Sequence, residues 1–206
     1  MNIKIASVDS VIIYFEQIIS EKVLDEVQQT YIALKELDNI IDIIPSYCSI
    51  LVIYDIFKYN HKSIKETILK KGSQPVGSVI NDHLHNKLIK ISTDYNQNLD
   101  LKRVADHNNL SIEEVIKLHS QTTYRVYAIG FMVGFAYLAT VNKKIITPRL
   151  ETPRNKVIKG SVAIADNQTA IYPQDSAGGW NIIGHTEFDE FNEFSIGDKV
   201  QFVSIS

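Results

Sequence analysis

From residue 122 onward the chain breaks into short β-type runs: "TTYRVYAIGF", "GSVAIAD", "QTAIYP", "WNIIGHT" and "DKVQFVSIS". Glycine and proline punctuate them. Many short strands separated by such residues specify a β-rich barrel or sandwich, because no single run is long enough to form a core by itself. This half of the chain therefore constrains the fold most.

The first 92 residues follow a different pattern. Segments 3–7 and 10–15 read as strands around a turn at Ser7–Ser10. Residues 18–37 read as a helix, with Ile19, Val23, Val27, Tyr31 and Leu34 on one face at spacings of three and four. "NIIDIIPSYCSILVIYD" gives two β runs with a turn expected at Pro45-Ser46. A second helix is expected over 61–71, ended by Gly72, and "NKLIKIS" at 86–92 reads as a closing strand. The expected fold class is α+β. A small ferredoxin-like α/β sandwich would span 1–92, and a β-barrel domain 93–206. Two short helices, about 99–107 and 111–120, open the second part; Ser111 and Glu114 form a capping-box pattern.

Composition narrows function. A net charge of −3, with no extended Lys/Arg run, gives no reason to expect nucleic acid as a partner. No stretch of about 18 apolar residues exists to span a membrane, and the N-terminus lacks the pattern of a signal peptide, so a cytoplasmic location is expected. Cys48 is the only cysteine, which excludes an internal disulfide and a cysteine zinc cluster. His83 and His85 sit two apart, yet no third ligand accompanies them, so no metal site is expected. Neither a GxxxxGK[ST] phosphate loop nor a GxSxG elbow is present.

Candidate site residues come from four stretches. "YRVYAIGFMVGFAYL" offers Phe131 and Phe135 beside glycines that permit close backbone approach. "ITPRLETPR" sets Arg149 and Arg154 on proline-stiffened backbone, suited to an anion or an acidic surface. "SVAIADNQTAIYPQ" reads as a hairpin turning at Asp166-Asn167, with Gln168 and Tyr172 projecting polar groups. "SAGGWNIIGHT" places Gly178 and Gly179 against Trp180, the only tryptophan, and carries His185. His119, near a helix C-terminus, is expected to have a raised pKa and to serve either as a general acid or as a structural cap.

Taken together and in order, "EEVIKLHS", "YRVYAIGFMVGFAYL", "TPRLETPR", "GSVAIADNQTAIYP", "SAGGWNIIGHT" and the late Gly197-Asp198 resemble the KipI-like family, the B subunits of bacterial 5-oxoprolinase, also called allophanate hydrolase subunit 1. The resemblance implies an N-terminal α+β domain and a C-terminal cyclophilin-like β-barrel. It implies work with a KipA-like C subunit and a larger A subunit, opening 5-oxo-L-proline to L-glutamate. ATP would be used by the complex through another of its chains, with no cofactor held by this one. His119, Arg154 and Gln168 would then be catalytic. Phe131, Phe135, Arg149, Tyr172, Gly178, Gly179, Trp180 and His185 would line a substrate or partner groove. The alternative implied role is inhibition of a sensor histidine kinase, antagonised by a KipA-like partner. Within the family pattern, Val133 and Ala177 stand where prolines are usual, and His185 stands where arginine is usual.

Overall fold

Ser20, in extended backbone, accepts a hydrogen bond from the Val23 amide and starts helix α1 (Glu21–Leu34), so the helix is shorter at both ends than its periodicity suggests. Ile19 falls outside it and is 39 % exposed, while Val23, Val27 and Leu34 are buried as expected. The computed structural model describes residues 2–72 and 87–205. The His83–His85 pair lies outside them.

In the first unit, strands β1 (Asn2–Ser7), β2 (Ser10–Tyr14), β3 (Ile40–Ser46) and β4 (Ser49–Tyr54) form an antiparallel sheet in the order β1-β2-β4-β3. Helices α1 and α2 (His61–Gly72) bury Val23, Val27, Ile64 and Ile68 in one core with the sheet's Val11, Ile13, Ile50 and Val52. The expected turn at Pro45-Ser46 comes later: both residues belong to β3, paired with Ile50 and Ser49. Proline is tolerated there because β3 is an edge strand, with no neighbour among the described residues on its other side to require the missing N–H. Cys48 packs half-buried against this core, and desolvation raises its thiol pKa.

The order is ferredoxin-like with one exchange. The edge place beside β2 is taken by the N-terminal strand β1, not by the strand that follows α2. That strand, β5 (Leu88–Thr93), runs parallel to β13 (Lys199–Ser204) in the second sheet. The 86–92 segment therefore does not close the first sandwich. Contacts divide the chain into Met1–His85 and Asn86–Ser206.

The second unit's main sheet also contains β6 (Thr123–Ile129), β7 (Ala136–Ala139), β9 (Ser161–Ala165), β10 (Gln168–Ile171) and β12 (Asn181–His185). Its order is β12-β9-β10-β7-β6-β13-β5. The ends meet: Asp94, directly after β5, exchanges backbone hydrogen bonds of 2.8 and 2.9 Å with His185 on β12. That bridge closes the sheet into a barrel and removes its free edges. A separate ribbon pairs β8 (Arg154–Val157) with β11 (Ser176–Gly178). Helices α3 (Leu101–Asn108) and α4 (Ile112–Ser120) match the two expected short helices, and Ser111 and Glu114 make both bonds of the capping box. The Asp166-Asn167 turn also forms as expected. Asp166 has φ 52°, and Ala165 pairs with Gln168 across a two-residue loop.

Candidate functional site

The strand pleat sends alternate residues to opposite faces of the barrel wall. Tyr124 on β6, Thr169 on β10 and Phe202 on β13 converge with Tyr95 around His119 from α4. Residues from separated strands can meet only inside, so His119 occupies the barrel interior. It is fully buried. Thr169 Oγ1 donates to the Ala163 carbonyl at 2.9 Å, so it accepts from His119 Nε2, also at 2.9 Å. The remaining nitrogen, Nδ1, accepts the Tyr95 hydroxyl at 2.7 Å. This assigns the neutral, Nε2-protonated tautomer.

The raised pKa and the general-acid role expected of His119 are thus overturned. Burial pushes its pKa down to about 3, because the interior offers nothing to solvate an imidazolium. The same burial pushes the Tyr95 and Tyr124 hydroxyls well above their usual range.

The opposite face of the wall carries most of the predicted groove. Ala163 and Ala165 of β9 and Ala170 of β10 are small, and Phe135, Tyr172 and Trp180 pack over them in one cluster. Phe135 meets Trp180 at 5.7 Å and 90°, Tyr172 at 5.5 Å and Tyr137 at 4.9 Å. Trp180 is only 5 % exposed, so it is the floor of this face. Arg149 lies over it, with Cζ 5.6 Å from the ring, a cation–π placement. The Arg149 side chain is 58 % exposed, and its Asp166 neighbour is 4.0 Å away, at the limit of ion pairing. Gln168 starts β10 on the same face of the pleat as Ala170.

Glycine is required here at one position. A Cβ on Gly178 would overlap the Tyr172 hydroxyl and sit 2.9 Å from its Cζ, whereas one on Gly179 would find its nearest neighbour at an ordinary 3.5 Å. The Tyr172 hydroxyl also receives a backbone hydrogen bond from Trp180. Desolvation dominates its raised pKa, against smaller opposing effects from Arg149 and Arg154.

Phe131 has φ 73°, packs edge-on to Phe135 at 5.5 Å and is 68 % exposed. It borders an open hollow of about 490 Å³ shared with Met132, Val133, Phe191 and Phe194.

Arg154 and His185 are each already engaged by other parts of the fold. Arg154 does not present an open guanidinium: its Nη2 donates to Asp100 Oδ1 at 2.7 Å, and Nη1 is buried without a hydrogen-bond partner among the described residues. The other Asp100 oxygen accepts the Ile182 amide at 2.7 Å. Asp100 is 5 % exposed and does not cap its own helix, so its carboxylate is devoted to joining β8 and β12. Beside it, Arg103 hydrogen-bonds Asn181, whose amide donates to the carbonyls of Pro148 and Ile164, both at 3.0 Å. His185 sits at the closing bridge, at the other end of β12 from Trp180, and its Nε2 donates to the Lys159 carbonyl at 3.0 Å.

Sequence reasoning missed Asp100, Asn181 and Tyr137. Asp100 falls within the helix expected at about 99–107, where nothing nearby in sequence signals its partners. Tyr137 was legible, since it stands two residues from Phe135 in a strand and so shares its face. Among the described residues, no three His, Cys, Asp or Glu side chains are grouped to hold a metal, and no helix is long and apolar enough to cross a membrane.

Residues 1–198 match the family model described as carboxyltransferase domain, subdomain C and D. The B subunit of 5-oxoprolinase from Bacillus subtilis (strain 168) is 34 % identical over 192 residues, covering 85 % of this chain and 80 % of that protein. The protein of the same name from Haemophilus influenzae is 41 % identical over 111 residues, 50 % of this chain and 52 % of its own. Among solved structures, TTHA0988 superposes with a TM-score of 0.83 at 28 % identity over 97 % of this chain, which spans only 40 % of that longer protein. The conserved uncharacterized protein PH0987 from Pyrococcus horikoshii is 35 % identical, with full coverage of this chain, 98 % of its own and a TM-score of 0.56. The K. lactis urea amidolyase shares the fold at a TM-score of 0.73 and 14 % identity, over 96 % of this chain and 14 % of its own length.

Proposed function

Because this chain belongs to the KipI-like family of 5-oxoprolinase B subunits, we propose that it serves as the B subunit of an ATP-dependent 5-oxoprolinase. It would act with a KipA-like C subunit and a larger A subunit to convert 5-oxo-L-proline to L-glutamate. The observation that carries this reading is the 34 % identity to a 5-oxoprolinase B subunit across 85 % of the chain. The relatives' shared name weights it over the histidine-kinase alternative.

The outer face of the barrel supplies what a B subunit would contribute. 5-Oxoproline is a small flat lactam bearing one carboxylate. Tyr137, half-buried beside the almost fully buried Trp180, offers an aromatic wall for the ring, and Arg149 offers an exposed guanidinium for the carboxylate. Arg154 acts indirectly. Its pairing with Asp100 fixes β8, and with it the neighbouring strand that ends at Gly178. Opening the lactam cleaves its C–N bond and adds water, a step driven by ATP cleavage. The sequence carries no GxxxxGK[ST] pattern, which fits assignment of that step to another chain of the complex.

Genetic complementation tests the reading. Cells lacking their own 5-oxoprolinase and given this chain with its KipA-like and large partners should grow on 5-oxoproline as nitrogen source. Leaving this chain out should abolish growth, and equal growth without it would refute the assignment.

A further inference from the structure

We propose that the apolar hollow at the β6–β7 turn is where this chain docks the KipA-like subunit, through a segment of that subunit with an apolar anchor between basic residues. The inference rests on the B-subunit reading and adds to it the face that the partner covers.

The hollow opens between two segments of the barrel unit. One is the turn that carries Phe131, Met132 and Val133; the other is the stretch after β12 that carries Phe191 and Phe194. The turn holds apolar side chains in solvent, with Phe131 68 % and Val133 80 % exposed. Phe131 does so at φ 73°, a left-handed backbone that is costly for an aromatic residue. Such a conformation persists only where its surroundings enforce it. Here they do. The Gly130 amide donates to the Phe135 carbonyl at 3.0 Å, and the Phe135 amide donates to the Met132 carbonyl at 3.1 Å. Gly134 seats the turn on the second segment, because a Cβ there would stand 2.6 Å from Phe191 Cβ. The exposed ring is thus preorganised, and an occupant has no loop to order on binding. A contiguous apolar surface held open in this way marks a contact with another chain.

Charge names the occupant. The stretch that supplies Phe191 also carries Glu187, Asp189, Glu190 and Glu193, with no basic residue between Thr186 and Asp198. Lys159 reaches Asp189 at 2.5 Å and Lys87 reaches Glu193 at 2.9 Å, so two of the four carboxylates are offset and the rim stays negative. An apolar side chain entering the hollow therefore binds best with basic neighbours. A second copy of this chain does not match. Its turn, "GFMVGF", has no charged residue, and a twofold contact would set the acidic rim against itself. Further chain does accompany this fold in a relative: the present chain spans only 40 % of TTHA0988, which leaves more than half of that protein available to cover such a face.

Isothermal titration of the purified full chain with the purified KipA-like subunit tests the assignment. The wild-type chain should bind saturably, and Phe131→Asp should weaken binding about thirtyfold or more, the loss expected for an anchor residue. Aspartate is tolerated in left-handed backbone and the position is exposed, so the variant should melt with the wild type. Glu190→Lys should weaken binding about threefold to tenfold at low salt and less at high salt. Wild-type affinity in Phe131→Asp would overturn the inference and leave the B-subunit reading standing. Failure of the wild-type chain to bind the KipA-like subunit would overturn both. Sedimentation of this chain alone as a dimer that Phe131→Asp disperses would give the hollow to a second copy and overturn the inference as well.

Discussion

The Tyr95 hydroxyl donates to His119 Nδ1 at 2.7 Å inside the barrel, which leaves the imidazole neutral and both its nitrogens occupied. An unfolded imidazole titrates near the ordinary 6.5, while burial holds the folded one near 3. Below about pH 6.5 the unfolded chain therefore binds a proton that the folded chain refuses. The contribution of His119 to stability is complete above that pH and is lost progressively as pH falls towards 3. The slope is about 1.4 kcal/mol per pH unit from this group alone. Denaturant titrations at pH 7 and pH 5 check it. Replacing His119 with glutamine should flatten the dependence, even at a lower absolute stability.

Gly178 and Gly179 are adjacent, yet they should respond differently to alanine. The Gly178 Cβ would collide with the Tyr172 ring, so Gly178→Ala should lose about 1–3 kcal/mol through overpacking. Gly179→Ala meets only ordinary contacts and should change stability by less than about 0.5 kcal/mol. Chemical denaturation midpoints of the two variants distinguish them.

Asp100→Asn keeps an acceptor for the Ile182 amide but removes the charge that faces Arg154. The guanidinium is 27 % exposed, so part of its charge remains solvated, and a loss of about 2 kcal/mol is expected, below that of a fully buried pair. Urea unfolding of the variant measures it. A change within experimental scatter would show that the pair does not fix β8.

Much of this fold was legible because its signals were local. The capping box at Ser111 and Glu114, the two-residue turn at Asp166-Asn167 and the short strands after residue 122 each depend on neighbouring residues. The resemblance carried the barrel domain's identity. What failed was long-range. Nothing in "NKLIKIS" shows that β5 pairs with β13, more than a hundred residues away, and not with the first sheet. His119 looked like a helix-end histidine exposed to the dipole. Its interior position depends on Tyr124, Thr169 and Phe202 arriving from other strands. Phe135, Tyr172 and Trp180 do come together in one cluster, but the ion pair of Arg154 was not legible, because its partner Asp100 stands 54 positions earlier.

Arg149→Ala separates the exposed cation from the floor beneath it. The side chain is 58 % exposed, its ion-pair partner stands at 4.0 Å and its cation–π contact with Trp180 is on the surface, so stability should fall by no more than about 1 kcal/mol. In the assembled enzyme, KM for 5-oxoproline should rise about tenfold or more as a charged contact to the substrate carboxylate is lost. Steady-state kinetics on intact complex provide the readout, and an unchanged KM would remove Arg149 from the substrate site.

The central claim is that the complex cannot work without this chain, and L-glutamate release from 5-oxo-L-proline by purified components tests it most directly. With ATP, a mixture of this chain with the proposed KipA-like and large subunits should release glutamate in step with ADP, and omission of this chain should stop both. Undiminished glutamate release from the two partners alone would contradict the account.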